Sequence, residues 1–135
     1  WDVTTSGNPL AHAILRGGVD KYGTCVPNYH FEDLMRLWEL YQKRGLSFPA
    51  VVVDANHSNS DKKFREQPRI VSEVPHSRRY SQDVKRLVKG VMIESYLEEG
   101  CQPIEGERVY GKSITDPCLG WEDTQRLLLE MADKV

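Results

Sequence analysis

The sequence predicts an α/β chain built on parallel strands. Three short apolar segments, "HAIL" from residue 12, "AVVV" from residue 50 and "GVMI" from residue 90, recur roughly 40 residues apart. That spacing is too long for hairpins and suits helical crossovers. Between these segments, and after the last, apolar residues return every three or four positions, the helical period. Strands alternating with helices make βαβ units, in an α/β barrel or a doubly wound sheet. Three strands are too few to close a barrel or protect a sheet, so as a self-sufficient fold the pattern is incomplete.

The elements follow in order. "HAILRGG" (12–18) reads as a strand closed by two glycines. "NYHFEDLMRLWELYQKRG" (28–45) places Phe31, Leu34, Trp38 and Tyr41 on one helical stripe, with Asn28 as N-cap and Gly45 as the stop. "PAVVVD" (49–54) is uniformly apolar before its aspartate, as strands covered on both faces are. A polar, basic helical stretch runs from about Asp61 to Lys89, interrupted at Pro68 and Pro75. "GVMIES" (90–95) is a third strand, and "GWEDTQRLLLEMADKV" (120–135) returns to helical spacing.

Composition excludes several classes. The 135 residues carry a net charge of −2, so no global field recruits nucleic acid or anionic membrane. No apolar run approaches the roughly 20 residues a membrane span needs. The basic residues between Lys62 and Lys89 are interleaved with Asp61, Glu66, Glu73 and Asp83, which reads as a solvated helix face. Cys25, Cys101 and Cys118 form no CxxC pair, so reduced thiols in a cytoplasmic setting are expected. The opening "WDVTTSGNP" lacks the basic and apolar regions of a signal peptide. Trp1 is no natural start and three parallel strands leave open sheet edges, so the chain is expected to be one ordered piece of a longer protein and inactive alone, with association with a second copy or the missing half as the alternative.

In parallel α/β folds ligands sit at the carboxyl ends of the strands. Reading that rim gives Arg16 after "HAIL", Asp54 and His57 after "AVVV", and Glu94 after "GVMI"; "YGKSITDPC" (110–118) adds Lys112 and Asp116. Each has a bland reading. His57 is then a loop residue, Asp116 before Pro117 a helix N-cap, and Arg16 the partner of a helix carboxylate. Glu94 is harder to dismiss, because an unpaired carboxylate ending a buried strand costs several kcal/mol. Together, His57, Glu94 and Asp116 make a mixed nitrogen and oxygen set suited to a divalent metal such as manganese, iron, zinc or cobalt. Arg16 beside Gly17 and Gly18 offers a fork-shaped cation for phosphate or carboxylate.

"ILRGG", "DANHSNS", "GVMIESYLEEG" and "YGKSITDPCLGWEDT", in this order and spacing, resemble the C-terminal part of class I 3-deoxy-D-arabino-heptulosonate 7-phosphate (DAHP) synthases. The chain looks like the group that includes the phenylalanine- and tyrosine-regulated enzymes. The resemblance implies the C-terminal portion of a (β/α)8 TIM barrel, with residues 1–135 as one segment of a single catalytic domain. It implies condensation of phosphoenolpyruvate with erythrose 4-phosphate, the first step of the shikimate route to aromatic amino acids, in a homo-oligomer. The implied metal ligands are His57, Glu94 and Asp116, with His57 and Asp116 also catalytic and Arg16 holding the phosphoenolpyruvate phosphate. The metal-binding cysteine of the family's "GPC" motif has no counterpart here, and packing is the expected role of Cys118. Two rival readings are another metal-dependent phosphosugar-condensing aldolase and a non-catalytic half-barrel serving as a scaffold or regulatory segment.

Overall fold

A computed structural model describes residues 1–134. In chain order the elements are β1 (Ala13–Leu15), β2 (Gly18–Val19), β3 (Cys25–Val26), α1 (Phe31–Lys43) and β4 (Val51–Asp54). Two 3-10 turns, His57–Ser60 and Phe64–Glu66, precede α2 (Gln67–Tyr80), α3 (Gln82–Leu87) and β5 (Val88–Met92). β6 (Glu98–Cys101), β7 (Lys112–Ser113) and α4 (Trp121–Ala132) complete the order. The three expected strands form one parallel sheet in the order β1-β4-β5. The small pairs β2-β3 and β6-β7 lie in stretches with too few apolar residues to announce them.

The sheet has one covered face. Val51, Val53 and Val88 are fully buried and share a core with Leu34 of α1, Ile70, Val71 and Val74 of α2, and Val84 and Leu87 of α3. On the opposite face Ile14 lies across from Val52 and Val52 from Gly90. There Ile14 remains 45% exposed, and Met92, opposite Asp54, 37% exposed. The expectation that "AVVV" is covered on both sides is therefore met on one side only. Core residues of α1, α2 and α3 pack on the other face, while Ile14 and Met92 keep much of their surface exposed and Val52 is half-buried.

α1 forms where the stripe of apolar residues predicts it, but its start differs. His30, not Asn28, is the N-cap residue, and no side chain caps the helix. Asn28 is drawn away because its side-chain oxygen accepts the Gly17 N–H at 2.8 Å while its own N–H donates to Asn59 Oδ1 at 2.9 Å. Glu32 and Asp33 in the first turn and Lys43 in the last complement the helix dipole. Gly45 takes the left-handed conformation (φ 61°) that ends the helix as expected.

The second crossover corrects the expected breaks. Pro68 opens α2 rather than interrupting it, since the first turn needs no N–H donor at that position. Pro75 lies inside α2 and is buried, so its apolar ring contributes to packing and offsets the missing hydrogen bond. The break comes at Ser81, whose backbone is extended and whose Oγ accepts the Val84 N–H at 3.4 Å, capping α3. The outer side of α2 carries Arg69 paired with Glu66 at 2.8 Å, as expected of a solvated face. β5 begins at Val88, two residues before the apolar run, and stops at Met92.

Among the described residues no helix is long and apolar enough to cross a membrane. Leu34 has no exposed surface and lies at the centre of the core beneath the sheet. Leu34→Ala is expected to lower unfolding free energy by about 2–5 kcal/mol. Urea denaturation of the intact protein should show this as a lower midpoint at an unchanged slope.

Candidate metal centre

The site begins where β4 ends. Asp54 is the last residue of that strand, and its side chain is 2% exposed. A carboxylate so placed needs donors, and the next three residues supply them. The Asn56 N–H donates to Asp54 Oδ1 at 2.8 Å, and His57 Nδ1 lies 2.7 Å from Asp54 Oδ2. Bringing a ring back onto the strand's own terminal side chain requires a sharp turn. His57 accordingly has φ 49°, and the 3-10 turn 57–60 is closed by Asp61 and Lys62 at φ 54° and 58°. Non-glycine residues in this region signal strain that the surroundings impose.

Because a carboxylate only accepts, Nδ1 of His57 carries the proton and donates to Asp54. The other ring nitrogen, Nε2, then faces Glu94 Oε1 at 3.2 Å and Asp116 Oδ2 at 3.7 Å. One ligating atom from each of His57, Glu94 and Asp116 lies within 4.8 Å of the others. With Nε2 unprotonated, three lone-pair donors converge on one point, an arrangement a cation satisfies. Imidazole plus two carboxylates is chemically suited to a divalent transition metal. Asp54 behind His57 orients the imidazole and fixes its tautomer, as an outer carboxylate would for a metal-binding ring.

Glu94 stands two residues beyond β5, outside the regular ladder. Gln67, fully buried at the start of α2, takes over the role of a strand neighbour. Its Nε2 donates to the Glu94 carbonyl at 3.0 Å, and the Glu94 N–H donates to Gln67 Oε1 at 2.8 Å. Asn56 Nδ2 donates to Glu94 Oε2 at 2.7 Å, leaving Oε1 on the side of His57.

Asp116 comes from the loop after β7 and is the most exposed of the three, at 55%. Its loop is held by paired backbone bonds between Cys118 and Gly100, at 2.8 and 3.1 Å. The Leu119 N–H also donates to the Glu94 carbonyl at 3.0 Å. The helix-cap reading of Asp116 does not hold, because α4 starts five residues later with Gly120 at its N-cap. Cys118 is buried with its thiol pushed up by that burial, and Sγ donates to the Asp116 carbonyl at 3.4 Å. Packing accounts for it. Cys25, Cys101 and Cys118 are all free thiols.

Arg16 lies one residue beyond β1, exposed and, among the described residues, in no ion pair. The expected alternative, pairing with a helix carboxylate, is therefore not realised. Gly17 anchors this stretch against the site's own turn. Its φ is 73°, and an added Cβ would stand 2.8 Å from Ser58 Cβ and 2.9 Å from the Asn59 backbone. Buried Asn59 ties the loops together by donating through Nδ2 to the carbonyls of Leu15 and Asp54 at 2.9 and 2.8 Å. Lys112 begins β7 and is outside the triad. Asn56, Asn59 and Gln67 escaped the sequence reading. A pair of buried asparagines flanking a histidine is a signal in hindsight, whereas nothing in the sequence links Gln67 to Glu94.

Comparison with known proteins places nearly the whole chain in one family. The sequence profile described as the DAHP synthetase I family matches residues 2–129. The Trp-sensitive phospho-2-dehydro-3-deoxyheptonate aldolase of Escherichia coli K12 is 40% identical over 133 residues, 97% of this chain and 35% of that protein. The Phe-sensitive protein of the same strain is 43% identical over 136 residues, 98% of this chain and 36% of that one. Such similar values assign a family and not a regulatory type. A solved structure of phospho-2-dehydro-3-deoxyheptonate aldolase from Francisella tularensis SCHU S4 superimposes with a TM-score of 0.83 at 32% identity. It covers 97% of this chain and 36% of its own. The chain thus spans about a third of the length of the curated relatives it matches.

Gly17→Ala places a methyl group against the backbone of the 57–60 turn and forces a right-handed preference onto a left-handed position. It is expected to destabilise the protein by on the order of 1–3 kcal/mol. Chemical denaturation checks the magnitude, and a change of less than about 0.5 kcal/mol, the usual range for a neutral surface substitution, contradicts the close packing of Gly17 on Ser58 and Asn59.

Proposed function

Because the chain belongs to the DAHP synthetase I family, we propose that it is the metal-bearing C-terminal segment of a DAHP synthase, a (β/α)8 barrel condensing phosphoenolpyruvate with erythrose 4-phosphate. The observation that carries this reading is the convergence of His57, Glu94 and Asp116, delivered by three separate loops at one end of a parallel sheet. The uncovered row of Ile14, Val52 and Met92 supports the barrel, whose interior is filled by such inward side chains from several strands. In this proposal the remaining strands and a homo-oligomeric partner complete the enzyme, and its aromatic regulation is of the phenylalanine/tyrosine type. The free thiols suit a cytoplasmic setting.

The residues present fit a divalent ion, and when bound such an ion supplies Lewis-acid polarisation of the erythrose 4-phosphate carbonyl. The chain's own contribution is positional and electrostatic. Asp54 holds His57 with Nε2 outward, so the ring donates its lone pair rather than a proton. Glu94 and Asp116 bring negative charge to the same point, and the exposure of Asp116 leaves it accessible to a substrate from the loop side. Arg16, at the same sheet end with no carboxylate of its own, presents its guanidinium fork to the phosphate of phosphoenolpyruvate. Positioning two phosphorylated substrates in this way contributes by removing orientational freedom before the carbon–carbon bond forms.

Glu94→Gln removes one anionic ligand while keeping the shape of the side chain. In the intact protein, metal content measured after dialysis and turnover should both fall, with affinity reduced roughly 10-fold or more. Unchanged metal content together with unchanged turnover sinks the assignment. Arg16→Lys keeps the charge but loses the two-pronged donor, so the Michaelis constant for phosphoenolpyruvate should rise by more than that for erythrose 4-phosphate. A rise confined to erythrose 4-phosphate assigns Arg16 to the other substrate.

A further inference from the structure

We infer that Gln67 and Asn56 are positioning residues that commit Glu94 to offering a single oxygen, Oε1, to the metal; this rests on the metal-centre reading above. Both side chains are buried amides, Gln67 with no exposed surface and Asn56 at 2%. Their polar atoms are spent largely on one residue. Gln67 makes both of its bonds to the peptide of Glu94, at 3.0 and 2.8 Å, and so fixes the backbone where β5 has already ended. Asn56 makes its bond to the carboxylate itself, Nδ2 to Oε2 at 2.7 Å.

The orientation of the Asn56 amide follows from the chemistry of its partners. Because the Glu94 carboxylate only accepts, the nitrogen of Asn56 faces it, and Oδ1 on the other side accepts from Ser60 Oγ at 2.9 Å. Its backbone N–H is held by Asp54 at 2.8 Å, the same carboxylate that orients His57. Oε2 of Glu94 is thereby engaged by a donor, and Oε1 is left 3.2 Å from His57 Nε2. A free glutamate can swing or chelate through both oxygens, and a neutral amide removes that choice without adding charge. The separation of duties is what points to positioning: one amide holds the main chain, the other selects the oxygen.

The test is a mutant cycle on the intact protein, reading manganese(II) affinity and the paramagnetic resonance spectrum of the bound ion, with thermal unfolding of the metal-free form alongside. Gln67→Met keeps length and apolar volume; Asn56→Ser keeps a polar group too short to reach Glu94. Each is expected to weaken manganese binding by about 10-fold, the lower end of losses seen for residues behind the ligands, and Asn56→Ser to alter the spectrum as Oε2 is freed. In a Glu94→Ala background the same changes should lower affinity no further, because they act through Glu94. Equal losses in both backgrounds, or wild-type affinity and spectrum in cooperatively folded single variants, overturn the proposal. If Glu94→Ala itself leaves affinity intact, the metal-centre reading fails and the positioning role fails with it. Should Gln67→Met not fold, the Asn56→Ser arm decides by the same comparison.

Discussion

A carboxylate buried at the end of a strand governs this structure. Asp54 lies at 2% exposure, where an unsolvated negative charge costs several kcal/mol unless donors reach it. Its donors come from Asn56 and His57, so close in sequence that the chain must turn back on itself at once. The positive φ of His57 and the tight 3-10 turn are consequences of that demand. So is the aim of the imidazole, since a ring tied through Nδ1 can only point Nε2 away from the strand. Folding and the shaping of the candidate site are one event here: satisfying the buried charge places the imidazole.

The rest of the site is tied by neutral amides. Asn28, Asn56, Asn59 and Gln67 bridge the loops after β1, β4 and β5 to one another. An amide carries both donor and acceptor, so it can hold a backbone peptide and a carboxylate together without adding charge. Lysine or arginine in these places would neutralise Glu94 and compete with a cation. The negative character of the triad is therefore preserved by the chemistry of the groups that support it.

The covered face and the open face of the sheet divide structural from functional economy. Val51, Val53 and Val88 anchor the strands to α1, α2 and α3, and this core fixes where each strand stops. The loops at those stops carry Arg16, His57 and Glu94, so a side chain such as Leu34 supports the site from beneath without touching it. On the other face Ile14 and Met92 stay exposed and Val52 half-buried, so this side contributes little to the chain's own core.

The sequence by itself determined the parallel α/β order, the three main strands, the presence of α1 and α4, and the three side chains that come together as a candidate metal centre. Apolar period and strand-end position are local signals, and the four motifs add the family. It also brought the candidate residues to one end of the sheet, because side chains that follow an apolar run must emerge there. Tertiary structure decided what the local pattern could not carry. Asn28 reads as a helix cap until Gly17 and Asn59 claim it; Asp116 reads as a cap until the loop of Gly100 and Cys118 sets it five residues ahead of α4. Pro75 reads as a break until burial makes its ring an asset. Gln67 is 27 residues from Glu94, and no periodicity announces a hydrogen-bond pair at that separation. Polar partners are chosen by distance in space, and only packing of the helices against the sheet creates those distances.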